Sequence, residues 1–203
     1  MKRLLILVCS MLALGSAQCT CGQTLHPLYM DKAQEVFEPA LLGLWVSCAG
    51  NAFPVCVGYQ FEKSNDVGYR VTWLAREAPK VDLVYAFHLV RLGAALFGDL
   101  KLTGIVVAGE NLNPDLGVQC HTLFRVSFKG DRLITSGVDF GRKETQKALA
   151  ENKISLNLEA LDNSLVLALD STVNLQQFAR QMADDKRVFS DDWKWERPEK
   201  DRK

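Results

Sequence analysis

VQCHTLFRVSFKGDRLITSGVD, residues 118–139, reads as two strands joined by a tight turn. Val118, Cys120, Thr122, Phe124, Val126 and Phe128 recur at every second position, opposed by Gln119, His121, Arg125 and Lys129. Successive side chains of an extended chain point to opposite faces, so this alternation predicts a sheet with one apolar face. Gly130-Asp131 supplies the turn into Arg132–Asp139.

The same period runs backwards along the chain. Tyr69, Val71 and Trp73 alternate with Arg70, Thr72 and Leu74, and Val81, Leu83, Tyr85, Phe87 and Leu89 share a face opposite Asp82, Ala86 and His88. Leu41–Cys48 and Val55–Lys63 read as strands, with Ser64-Asn65-Asp66 as the loop into Val67–Arg76. Gly93 marks a turn before a strand over Leu96–Leu102, and the glycine- and asparagine-bearing stretch Thr103–Gly117 reads as a long loop. After Gly141 the period changes: a short helix is expected over Arg142–Asn152, and a closing hairpin over Ile154–Ala160 and Leu165–Asp170. A last helix, capped by Ser171-Thr172, repeats Leu175, Phe178, Ala179 and Met182 at three and four. The fold expected is mainly β with minor α: an antiparallel barrel or strongly curved sheet of about eight strands, with one or two C-terminal helices.

The N-terminus supplies an address. Lys2 and Arg3, an apolar run from Leu4 to Leu14, then Gly15, Ser16 and Ala17 follow the layout of a secretory signal peptide. Eleven or so apolar residues fall short of the roughly 20 that a membrane-crossing helix needs. The organisation expected is a signal peptide over 1–18, an N-terminal arm over 19–40, one β-rich domain over 41–190 and a charged tail over 191–203. Trp193 and Trp195 are that tail's apolar anchors. Two fates are open for the start of the mature chain. Cleavage after Ala17 gives a secreted or periplasmic protein, and lipidation of Cys19 gives a membrane-anchored one.

Removing Lys2 and Arg3 leaves 22 basic against 24 acidic residues, so no basic field suited to a phosphate backbone or an anionic membrane exists. Nucleic-acid binding is not expected. Cys48 and Cys56 flank the loop Ala49–Val55, either bridging two neighbouring strands or standing as two small buried side chains. G-x-S-x-G, H-E-x-x-H, P-loop and G-x-G-x-x-G motifs are all missing. Cys120 and His121 are consecutive on a strand and so point to opposite faces; Cys120 is expected in the core and His121 outward or on the other face. His26, His88 and His121 are isolated in sequence; pairing of the last two, helped by Asp82 or Asp99, would give at most a two-histidine site. No catalytic residue, metal or cofactor is assigned.

Gly43-Leu44-Trp45 resembles the Gly-x-Trp that opens the first strand of lipocalins, where the tryptophan plugs the closed end of the barrel. LHPLYM (25–30), VFEPALLGLW (36–45), FHLVRLGAALFGDL (87–100) and HTLFRVSFKGDRL (121–133) resemble a group of exported bacterial proteins, described as lipoproteins of unassigned function. The second resemblance implies location and architecture and carries no catalytic residues. Together with the periodicity these readings lead to an exported or periplasmic, non-enzymatic domain. It is expected to bind an apolar small molecule in a lipocalin-like barrel lined by Trp45, Val57, Tyr59, Tyr69, Trp73, Tyr85 and Phe87. The alternative is an envelope lipoprotein tethered through Cys19, with a structural or protein-interaction role.

Overall fold

The computed structural model describes residues 22–49, 55–75, 81–112, 120–160 and 166–198. In chain order the strands are β1 (Gly22–Thr24), β2 (Gly43–Ala49), β3 (Val55–Lys63), β4 (Tyr69–Ala75), β5 (Val81–Leu92) and β6 (Ala95–Val107). There follow β7 (Glu110–Leu112), β8 (His121–Lys129), β9 (Arg132–Val138), α1 (Lys143–Glu151), β10 (Leu158–Ala160), β11 (Val166–Ala168), α2 (Thr172–Met182) and β12 (Phe189–Trp195). Twelve strands join one mainly antiparallel sheet, more than the eight or so expected.

The additional strands come from stretches whose own sequence carries little β pattern. The arm contributes β1, which pairs with both β8 and β11. The stretch read as a long loop instead extends β6 to Val107 and returns as β7, around Ala108 and Gly109, both at positive φ. An alanine in that conformation is not a turn signal, which is why the hairpin is hidden in the sequence. The charge-dense tail forms β12, because it lies along β9 from Phe189 to Trp195.

Strands β2 to β6 form a continuous antiparallel meander, followed in space by β8, β9 and β12. The sheet therefore curls until its two ends approach. Val46 of β2 and Glu196, just past β12, exchange two backbone hydrogen bonds of 2.9 Å. No ladder continues from that bridge, so the sheet is strongly curved but not closed.

Alternation assigns the two faces. Inside the curl lie Trp45, Phe61, Tyr69, Val71, Phe87, Leu89, Leu100, Val126, Leu133 and Trp195, one buried cluster. The outer face carries a second core wherever the helices cover it: Val90, Leu92, Phe97, Leu123 and Val138 of the sheet meet Leu149 of α1 and Leu175, Phe178, Ala179 and Met182 of α2. In both helices the buried residues recur at the three-and-four spacing. Ser171 makes no side-chain capping bond; the hydroxyl of Thr172 instead donates to the carbonyl of Pro27 in the arm, 2.7 Å away. The helix start is thereby spent on tying down the N-terminal segment.

Candidate functional site

The blocks LHPLYM and VFEPALLGLW turn out to be two halves of one covering device. After β1 the chain crosses the outer face of β6 and β5, bridges Glu35 to Val90, and then runs over one end of the curled sheet. There Val36, Phe37, Leu41 and Leu42 pack against the inner cluster. Phe37 stacks on Tyr69 with centroids 5.2 Å apart, and the indole N–H of Trp45 donates to Leu41 O at 2.8 Å. The Tyr69 hydroxyl accepts from the Glu38 N–H and donates to the Glu38 carbonyl. Burial, outweighing the lowering effect of the Glu38 hydrogen bond, pushes the Tyr69 phenol up to about 12.

Arg197 completes this plug from the other terminus. Its guanidinium lies 4.0 Å from the centre of the Trp45 ring and donates to Ala40 O at 2.7 Å. Gly43 makes room for it: φ is +101°, and a Cβ there would stand 2.5 Å from an Arg197 nitrogen. The glycine and tryptophan are legible in the sequence. The arginine, 154 positions after Gly43 in the numbering, is not.

The seven residues singled out as interior candidates divide into two groups. Trp45, Tyr69 and Phe87 are buried in the inner cluster. Around them Phe61, Phe87 and Phe124 meet at centroid distances of 5.4 and 5.8 Å, and Gly98 sits where a Cβ would come within 2.6 Å of both Phe87 and Phe124. This part of the interior is filled by rings. Val57, Tyr59, Trp73 and Tyr85 share the same inward parity and are only partly buried; Val57, Tyr59 and Tyr85 pack against the inner cluster. Trp73 faces Tyr59 on one side and Leu83 on the other, and it belongs to neither buried cluster.

On the opposite face lies a polar constellation whose pairing the sequence did not reveal. Asp99 on β6 is cross-strand from His88 on β5 and from Leu123 on β8. The two histidines are therefore not neighbours; they flank β6. His121 is buried rather than outward, with Nδ1 2.6 Å from Asp99 Oδ1, while Asp99 Oδ2 accepts the Leu28 N–H at 2.5 Å. His88 Nδ1 is 2.5 Å from Glu35 Oε2, and its ring stacks on Tyr29 with centroids 4.3 Å apart. Burial, together with the negative charges of Asp99 and Glu35, pushes the Tyr29 phenol up.

This cluster is built for fastening. Each carboxylate joins the arm to the sheet, and Gln176 of α2 adds a hydrogen bond of 2.8 Å to Leu28 O. Thr24, directly opposite His121, donates its hydroxyl proton to His26 O at 2.8 Å, a further bond within the arm. Among the described residues no group of three or more histidine, cysteine, aspartate or glutamate side chains is arranged to hold a metal ion.

Cys48 and Cys56, paired across β2 and β3, form a disulfide with Cα atoms 4.1 Å apart. Cys120 is half-buried, and burial pushes its thiol pKa up. Cys19 lies outside the described residues. A surface groove of about 440 Å³ at the seam is lined by Val46–Cys48 of β2, Lys194 of β12 and Glu196–Pro198; none of the seven interior candidates lines it. Comparison with protein-family models, curated proteins and solved structures finds no match to this chain.

Proposed function

We propose that this chain is an exported, non-enzymatic domain that holds an apolar small molecule inside a lipocalin-like ring of strands. The ring would be the eight strands β2, β3, β4, β5, β6, β8, β9 and β12, drawn together at the Val46–Glu196 bridge. Eight strands leave an interior wide enough for packed side chains or for one small ligand. The observation that carries the reading is the contrast within the inward series. Trp45, Tyr69 and Phe87 are fully packed and plugged, whereas Val57, Tyr59, Trp73 and Tyr85 are only partly buried although they share the same face. Large apolar side chains left accessible on an inward face are what a ligand would cover.

Mass spectrometry of an organic extract from protein purified out of its native host tests this. A stoichiometric apolar molecule is expected; a clean extract, together with no binding of the apolar fluorophore N-phenyl-1-naphthylamine, would overturn the reading.

A second reading, an envelope lipoprotein tethered through Cys19 with an interaction role, draws support from the ring-filled part of the interior. It is tested by the intact mass of the mature N-terminus: a diacylated Cys19 supports the tether, and a chain beginning at Gln18 removes it.

A further inference from the structure

In β2 the backbone hydrogen-bonding groups of successive residues point to opposite sides, as in any strand. Val46 gives both its N–H and its carbonyl to Glu196 across the seam, so neither faces β3. Cys48, two residues on, shares that parity, and its partner is Cys56. The cysteines therefore occupy a non-hydrogen-bonded position of the β2–β3 ladder, where antiparallel strands bring Cα atoms to about 4.5 Å. Disulfides usually span about 4.4–6.8 Å between Cα atoms, most often roughly 5.5–6 Å. Here the two Cα atoms stand 4.1 Å apart, below that span. The register imposes this closeness, because seven consecutive pairs run from Gly43–Phe61 to Ala49–Val55.

Access is the second observation. Both cysteines have the outward parity, opposite to that of Trp45 and Tyr59. Among the described residues, none from β2 or β3 belongs to the outer core that α1 and α2 build, so the helices leave this corner of the sheet uncovered. Cys48 is exposed and lines the groove of about 440 Å³ at the seam, whereas Cys56 is half-buried and does not line it. That volume suits a small molecule. Disulfides that are accessible and held away from their preferred spacing are the exchangeable ones.

We infer that Cys48–Cys56 is a thiol–disulfide exchange site for a low-molecular-mass thiol. The thiolate of that molecule attacks Cys48 Sγ from the groove and forms a mixed disulfide there. The Cys48–Cys56 bond breaks, and its electron pair leaves on Cys56 Sγ, which takes a proton from water. A second thiolate attacks the bound molecule's sulfur, releasing the small-molecule disulfide and leaving Cys48 as a thiol. Two small thiols are thus oxidised to one disulfide while the protein disulfide is reduced to two thiols, and an excess of the small disulfide drives the exchange back. Strand β2 keeps its place throughout, since the seven ladder pairs and the Val46–Glu196 bridge do not pass through sulfur. Exchange at this pair does not depend on what the interior holds.

The test incubates the oxidised, full mature chain in native buffer with millimolar reduced glutathione. Thiols are trapped with iodoacetamide and located by peptide mass, and circular dichroism of the same samples reads the fold. Reduction is expected at a rate within about ten-fold of that in the same chain unfolded in urea, with the native spectrum kept. A glutathione adduct is expected on Cys48, and oxidised glutathione is expected to restore the bond. Protection by more than about ten-fold relative to the unfolded chain would overturn the inference, and so would an adduct confined to Cys56. Opening of the bond only together with loss of the native spectrum would also overturn it, because unfolding would then be what releases the sulfurs. Inertness to glutathione combined with reduction by thioredoxin would do the same, since the partner would be a protein thiol. None of these comparisons needs a variant to fold.

Discussion

Asp99 serves two partners with its two oxygens, His121 on the sheet and the Leu28 backbone on the arm. Replacing it by alanine leaves an imidazole and an N–H without their acceptor in a buried place. A loss of roughly 3–5 kcal/mol is expected for such a broken pair, read from urea denaturation. Gly98 argues from space alone. Its missing Cβ is what lets the Phe87 and Phe124 rings close over β6. Gly98→Ala is therefore expected to cost about 1–3 kcal/mol through overpacking, measured as a lowered thermal midpoint.

Tyr69 supplies a pH dependence. Its phenol is raised from 10.0 in the unfolded chain to about 12 in the fold. Between those values the unfolded chain has lost the proton that the folded chain still holds, so stability falls as pH rises through that window and levels above it. Tyr69→Phe is expected to flatten this alkaline slope in denaturation profiles recorded from pH 9 upward, at the cost of two unpaired groups on Glu38.

The elements explain what single residues cannot. Helix α2 buries Phe178 completely against Phe140 and Phe189, so Phe178→Ala is expected to cost about 3–5 kcal/mol by calorimetry. That helix also holds the arm through Thr172 and Gln176, so its loosening should raise protease sensitivity at residues 25–35. In the β2–β3 hairpin the disulfide closes a short loop. Its removal in Cys48→Ser/Cys56→Ser is expected to lower stability by roughly 2–3 kcal/mol on chain-entropy grounds, seen as equal melting with and without reductant. Helix periods and strand alternation were legible because each follows from a local repeat. The β6–β7 hairpin was not, since Gly109 stood in a stretch bearing several glycines and asparagines, and its partner in the turn, Ala108, takes a positive φ that alanine does not signal.

Across the whole molecule, two stretches far apart in the sequence, residues 36–42 and Arg197, meet at one place. Residues 36–42 lie over the inner cluster, and Arg197 reaches back across Gly43 to stack on Trp45. Shortening the chain before Phe189 would remove β12, the Trp195 ring from the interior and the Val46–Glu196 bridge together. Loss of cooperative unfolding in differential scanning calorimetry is the expected outcome, because the inner cluster would be open to water along a whole strand.

Local periodicity alone determined that this chain forms antiparallel β-structure with two helices late in its length, since side-chain direction repeats every two or every 3.6 residues whatever lies elsewhere. Gly43 and Trp45 were likewise visible as neighbours in sequence. Only the tertiary structure decided that strands β5, β6 and β8 are buried on both faces, that His121 belongs to Asp99 and His88 to Glu35, and that Trp73 stands apart from the packed rings. Those pairings join residues 22 to 53 positions apart in the chain. They depend on which strand lies beside which, and that is set by the burial of two apolar faces at once, a condition no short window of sequence contains.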